Sequence, residues 1–114
     1  NRERQRLMRD MAQTREKTLD EVLKPDGIEP GYRRPGAGDD IRTVTREEFG
    51  ELEKQLLDGA KEVPPAQSYE GRWFLRRDGS IIGIRESADY GRTIDVINPG
   101  TNSTLPNGYR IHWR

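Results

Sequence analysis

The chain has 114 residues, no cysteine, 31% hydrophobic and 35% charged residues, and a formal net charge of zero. That length allows one domain, and the lean apolar content predicts modest stability that a tight partner would raise. The missing cysteine excludes disulfides, thiolate nucleophiles and cysteine metal sites, and no apolar run approaches the length of a membrane span.

Arg2 to Leu23 reads as a charged helix, with Leu7, Met11, Thr18 and Val22 near one stripe and Pro25 as its stop. The segment has no apolar core of the kind a signal peptide carries. The chain starts at Asn1 rather than Met, which we read as a piece cut from a longer protein. Lys24 to Asp40 carries Pro25, Pro30 and Pro35 with Gly27, Gly31, Gly36 and Gly38, the composition of a loop. Thr45 to Leu57 is the better helix. Thr45 and Glu48 form a capping-box pair, Phe49, Leu52 and Leu56 recur at helical spacing, and Gly59 follows as a stop.

After Tyr69 the apolar period changes to two. Strands are expected at Arg72–Arg76, Ser80–Arg85, Thr93–Ile97 and Tyr109–Trp113, with Asp78-Gly79 as a hairpin signal. The expected fold class is α+β, with N-terminal helices packed on one face of a twisted four-stranded antiparallel sheet. We divide the chain into 1–68, a helical N-terminal part and linker, and 69–114, the sheet core. Together they form one compact domain of roughly 41–114 with a leading helix.

Alternation sorts the side chains onto two faces. Trp73, Leu75, Ile82, Ile84, Ile94, Val96, Tyr109, Ile111 and Trp113 fall on one, which the helices must cover. Arg72, Arg76, Gly83, Arg85, Thr93, Asp95, Arg110, His112 and Arg114 fall on the other, together with Phe74, Ile81 and Ile97. Residues 69–114 hold seven Arg, no Lys and five acids, a net +2, while residues 1–68 are net −2. The polar face has two readings. One is the solvated outer face of a half-buried antiparallel sheet. The other is a surface that binds an RNA backbone through planar guanidinium groups. Cutting RNA needs a base for the 2′-hydroxyl, an acid for the leaving 5′-oxygen and cations for the charge on phosphorus. A histidine near neutral pH serves for the proton steps and arginines for the charge.

The ordered set Gly83-Ile84-Arg85-Glu86-Ser87, then Thr93-Ile94-Asp95, then Arg110-Ile111-His112 resembles C-terminal domains of bacterial polymorphic and contact-dependent growth inhibition toxins. These belong to the barnase–EndoU–colicin–RelE-like ribonuclease group. The resemblance covers about the last 46 residues. It implies an endoribonuclease that cuts RNA, with tRNA as the expected target, in the cytoplasm of a neighbouring bacterium after delivery as part of a larger secreted or surface protein. It also implies a tightly bound immunity protein and leaves room for a host activating factor. Catalytic roles would fall to His112, Arg85, Ser87 and Thr93, and substrate contacts to Arg72, Arg76, Arg92, Asp95 and Arg110. No cofactor or metal is expected.

Three other readings compete. An ADP-ribosylating toxin needs a downstream Glu-x-Glu, and no glutamate follows Glu86. A His-Asn-His metal nuclease needs several histidines, and there is one. A non-catalytic interaction or adaptor domain of a secreted or phage-associated protein fits the balanced charge equally well.

Overall fold

The structure is a computed structural model that describes residues 17–66 and 68–113. Most of the expected Arg2–Leu23 helix therefore lies outside the described residues. Its last part is α1 (Leu19–Leu23). The chain continues through a 3-10 turn at Pro25–Gly27, β1 (Ile41–Val44), α2 (Arg46–Leu57), β2 (Lys61–Val63), β3 (Gly71–Leu75), β4 (Ile81–Ser87), β5 (Gly91–Asn98) and β6 (Arg110–Trp113).

The six strands form one sheet in the order β1-β6-β5-β4-β3-β2. β1 runs parallel to β6, and every other pair is antiparallel. This corrects the expected fold class. The sheet is six-stranded and mixed rather than four-stranded and antiparallel, and only two α-helices occur among the described residues. The two additional strands lie on the outer edges. Lys61-Glu62-Val63 pairs with β3 just before Pro64 and Pro65. Ile41–Val44 emerges from the Pro- and Gly-rich loop, where Tyr32 also bridges to Thr43.

One face of the sheet is covered. Val44, Ile82, Ile84, Ile94, Val96 and Ile111 pack with Phe49 and Leu56 of α2 and with Leu19, Val22 and Leu23 of α1. Phe49 also meets the Trp113 ring at 5.1 Å between centroids. Thr45 caps α2, its hydroxyl accepting the Glu48 N–H at 3.1 Å. A five-residue helix such as α1 is too short to persist in isolation, so tertiary bonds hold it. Leu19 N–H donates to Asp78 Oδ2 at 2.9 Å. The Asp20 carboxylate accepts from the Ser103 hydroxyl and from both the N–H and hydroxyl of Thr104. Leu19, Val22 and Leu23 of this leading helix are thus part of the core layer.

β3 departs from the expected alternation by one residue. Phe74 pairs with Ile82 and packs on the core, while Trp73 pairs with Gly83 on the opposite face. Trp73 and Ile111 therefore lie on opposite sides of the sheet, against the expectation that both face the helices. The run Trp73-Phe74-Leu75 is apolar throughout, so its pattern alone does not choose a face. On the far face Trp73 lies against the Tyr69 ring, with 5.7 Å between centroids, and Tyr69 in turn covers two glycines. A Cβ on Gly83 would lie 2.8 Å from Tyr69 Cζ, and one on Gly71 would lie 2.7 Å from Tyr69 Cε2. The Tyr69 ring thus lies directly on these two glycines. We expect Gly83→Ala to cost about 1–3 kcal/mol by overpacking. In a Tyr69→Ala background the same substitution should cost almost nothing. Urea denaturation of the four proteins of that cycle checks this, and an unchanged cost in both backgrounds would refute the packing account.

Candidate active site

The face away from the helices carries a row formed by register. Thr43 on β1 lies opposite His112 on β6, His112 opposite Thr93 on β5, and Thr93 opposite Arg85 on β4. A second row sets Arg110 beside Asp95 and Asp95 beside Gly83. Strand spacing puts His112 and Arg85 roughly 10 Å apart at the backbone, a span that side chains can close around a phosphate.

Asp95 organises this surface. Its Oδ2 accepts from Arg85 Nε at 2.7 Å and from the Tyr69 hydroxyl at 2.9 Å, and its Oδ1 accepts from Arg110 Nε at 2.9 Å. Burial pushes the Asp95 carboxyl up, but the hydrogen bonds from Arg85, Arg110 and Tyr69 more than offset this and hold its pKa below the ordinary value. Asp95 is therefore ionised at neutral pH. Tyr69 shifts the other way: burial and the Asp95 carboxylate raise its pKa, so the phenol keeps its proton.

Each arginine meets Asp95 through Nε. Among the described residues the terminal Nη atoms of Arg85 and Arg110 have no hydrogen-bond partner. Both guanidinium groups are anchored at one end and open at the other, along an open cleft of about 390 Å³ lined by Tyr69, Arg85, Asp95 and Arg110. This arrangement suits an oxyanion with several acceptor oxygens.

His112 is 3% exposed. The Thr93 hydroxyl donates to Gly91 C=O at 3.1 Å and lies 3.1 Å from His112 Nδ1. With the hydroxyl proton used on Gly91, Nδ1–H donates to Thr93, and the lone pair is on Nε2. Burial lowers the imidazole pKa, and the charges of Arg110, Arg34 and Arg85 lower it further, to about 4. The ring is thus neutral near pH 7. Tyr90, from the β4–β5 turn, stacks on it at 4.4 Å and 23°, and the Arg34 guanidinium lies 4.9 Å from the Tyr90 centroid.

Of the nominated residues, His112, Thr93, Arg85, Asp95 and Arg110 converge. Ser87 lies on the same face at the end of β4, but its hydroxyl accepts the Asp89 and Tyr90 N–H groups at 3.3 Å each, so it shapes the turn. Three arginines nominated for substrate lie elsewhere. Arg76 is buried on the core side, bonded to main-chain carbonyls. Arg72 pairs in register with Ile84 of the covered face and forks onto Glu62. Arg92 pairs with Glu86 and reaches Glu53 of α2 at 2.7 Å. Each has a carboxylate or carbonyl to satisfy it, and none faces the cleft.

Tyr69, Tyr90 and Arg34 join the site without having been nominated. Tyr90 and Arg34 come from irregular segments, where no period assigns a face. Tyr69 had one available signal: glycines at 71 and 83, inside otherwise bulky strands, mark a close approach by something large. Among the described residues no three His, Asp or Glu side chains gather as a metal site, and no helix is long and apolar enough to cross a membrane. No protein-family model matches the chain, and no curated protein or solved structure matches it either.

Proposed function

We propose that the chain is a metal-independent endoribonuclease of the toxin type, cutting RNA by attack of the 2′-hydroxyl on the adjacent phosphodiester. The observation that carries this reading is the Arg85–Asp95–Arg110 arrangement, two guanidinium groups held by one carboxylate with their outer nitrogens open, beside a neutral histidine.

The groups present suit the chemistry. His112 Nε2 takes the proton of the 2′-hydroxyl, and the 2′-oxygen bonds to phosphorus. The P–O5′ bond then breaks, leaving a 2′,3′-cyclic phosphate. Arg85 and Arg110 hold the nonbridging oxygens as negative charge grows on them. Asp95 keeps both arginines in place; ionised and holding three donors, it is a positioning group rather than a proton carrier. Two guanidinium charges beside its carboxylate also disfavour a divalent cation there. Tyr69 holds its proton too firmly to be a good acid, so the leaving oxygen takes a proton from water in the open cleft. A base with a pKa near 4 is weak, but the bound phosphodiester adds a negative charge next to the three arginines that depress it. Substrate binding therefore raises the His112 pKa toward the range where a general base works well.

In this reading tRNA is the expected target and the cytoplasm of a recipient bacterium the place of action. A cognate immunity protein would inhibit by setting carboxylates against the outer nitrogens of Arg85 and Arg110. Total RNA treated with the purified domain tests the reading. Cleavage should continue in excess EDTA and leave 2′,3′-cyclic ends. Activity that vanishes with chelator and returns with magnesium would overturn the mechanism, and intact RNA would overturn the function.

A further inference from the structure

We propose that Tyr90 is the stacking platform for the nucleobase at the cleavage site, which makes unpaired, single-stranded RNA the substrate. This rests on the ribonuclease reading and adds to it the form of RNA that is cut.

Tyr90 occupies an unusual place for an aromatic residue. It is 43% exposed, although the sheet beneath it is buried. Its ring stacks on His112, the proposed base, and Ser87 fixes the backbone of its turn. A base resting against this ring would bring its own ribose to the neighbourhood of His112 Nε2, where the 2′-hydroxyl must be.

Arg34 now lies over the ring, its guanidinium 4.9 Å from the centroid. An exposed cation–π contact of that kind is weak, and base–aromatic stacking is stronger. An incoming base displaces the guanidinium, which can then turn to an adjoining phosphate. Arg34 thus occupies the ring until RNA replaces it.

The consequence for substrate choice follows from geometry. Bases in a duplex are stacked on one another and cannot turn onto a protein ring, whereas bases in loops and single strands can. A ring face offers no hydrogen-bond readout, and every base has a π-face, so discrimination among bases should be slight.

The test uses an RNA oligonucleotide spanning a mapped cleavage position and blocked there by a 2′-methoxy group. Its binding to parent, Tyr90→Phe and Tyr90→Ala proteins is measured by fluorescence anisotropy. Phe should bind like the parent, and Ala roughly ten- to hundredfold more weakly. An oligonucleotide abasic at the blocked position should lose a similar factor with the parent and almost nothing more with Tyr90→Ala. Parent-like binding by Tyr90→Ala, an abasic penalty that persists in it, or equal cutting of duplex and single strand would overturn the platform while leaving the ribonuclease reading intact. A parent protein that neither binds nor cuts RNA would overturn the ribonuclease reading, and the platform with it.

Discussion

Arg76→Ala should destabilise the fold by about 3–5 kcal/mol, the range for removing one partner of a buried charged network. That is a large fraction of the roughly 5–15 kcal/mol that holds a typical domain together. The Arg76 side chain is fully buried. Nη1 donates to Leu56 C=O at 2.5 Å and more weakly to Gln55 C=O at 3.4 Å, carbonyls that the last turn of α2 leaves without partners. Nη2 donates to Lys17 C=O at 2.5 Å, and Nε lies 3.6 Å from Asp78 Oδ2. One guanidinium thus joins the end of α2, the segment leading into α1 and the β3–β4 turn. Alanine leaves those carbonyls without their donor and removes the positive charge beside Asp78. Arg76→Lys should rescue little, because one ammonium cannot span three separated acceptors. Arg72→Ala is the control, since its exposed pair with Glu62 should leave the urea midpoint near that of the parent. An Arg76→Ala midpoint equally close to the parent would refute the structural role.

The contrast between Arg76 and Arg85 shows how far the sequence can be read. Arg76 directly follows β3 and Arg85 lies in β4, both next to apolar residues, and alternation alone sends both to the polar face. What separates them is register. β4 and β5 alternate cleanly around Ile82, Ile84, Ile94 and Val96, so Arg85, Thr93 and Asp95 could be placed from the pattern. β3 has three large apolar residues in a row, and the choice between Trp73 and Phe74 depends on Tyr69 covering two glycines, a contact no local pattern contains. Lys61–Val63 and Ile41–Val44 are too short to show a period, and β1 joins β6 from far away in the chain. The proposed base, the two arginines and their carboxylate were thus legible as residues on paired strands. The aromatic rim and Arg34 were not, because loops place them.

His112→Ala should lower RNA cleavage by about a hundred- to ten-thousandfold, the usual effect of losing a positioned proton carrier, in a protein first shown to be folded by circular dichroism. The pH dependence offers a second, independent check. In the folded chain burial and the arginines hold His112 near pKa 4, against an ordinary value of 6.5. Between those two values the unfolded chain binds the extra proton and the folded chain does not. Stability must therefore fall as the pH drops from about 6.5 to 4, by an amount on the order of 3 kcal/mol. Asp95 acts in the same sense at lower pH, since its lowered pKa contributes stability that is lost as it protonates. His112→Gln removes the histidine and should flatten the upper part of this curve while leaving the acid limb of the carboxylates. Catalysis should carry the same signature. The acid limb of kcat/KM reports the free enzyme and should lie near pH 4. The limb of kcat reports the complex and should lie higher, because the bound phosphodiester offsets the arginines. Coincident acid limbs would show that the phosphate does not sit beside His112. A His112→Ala protein that cuts RNA at the parent rate would assign the proton transfer to another group on the same face.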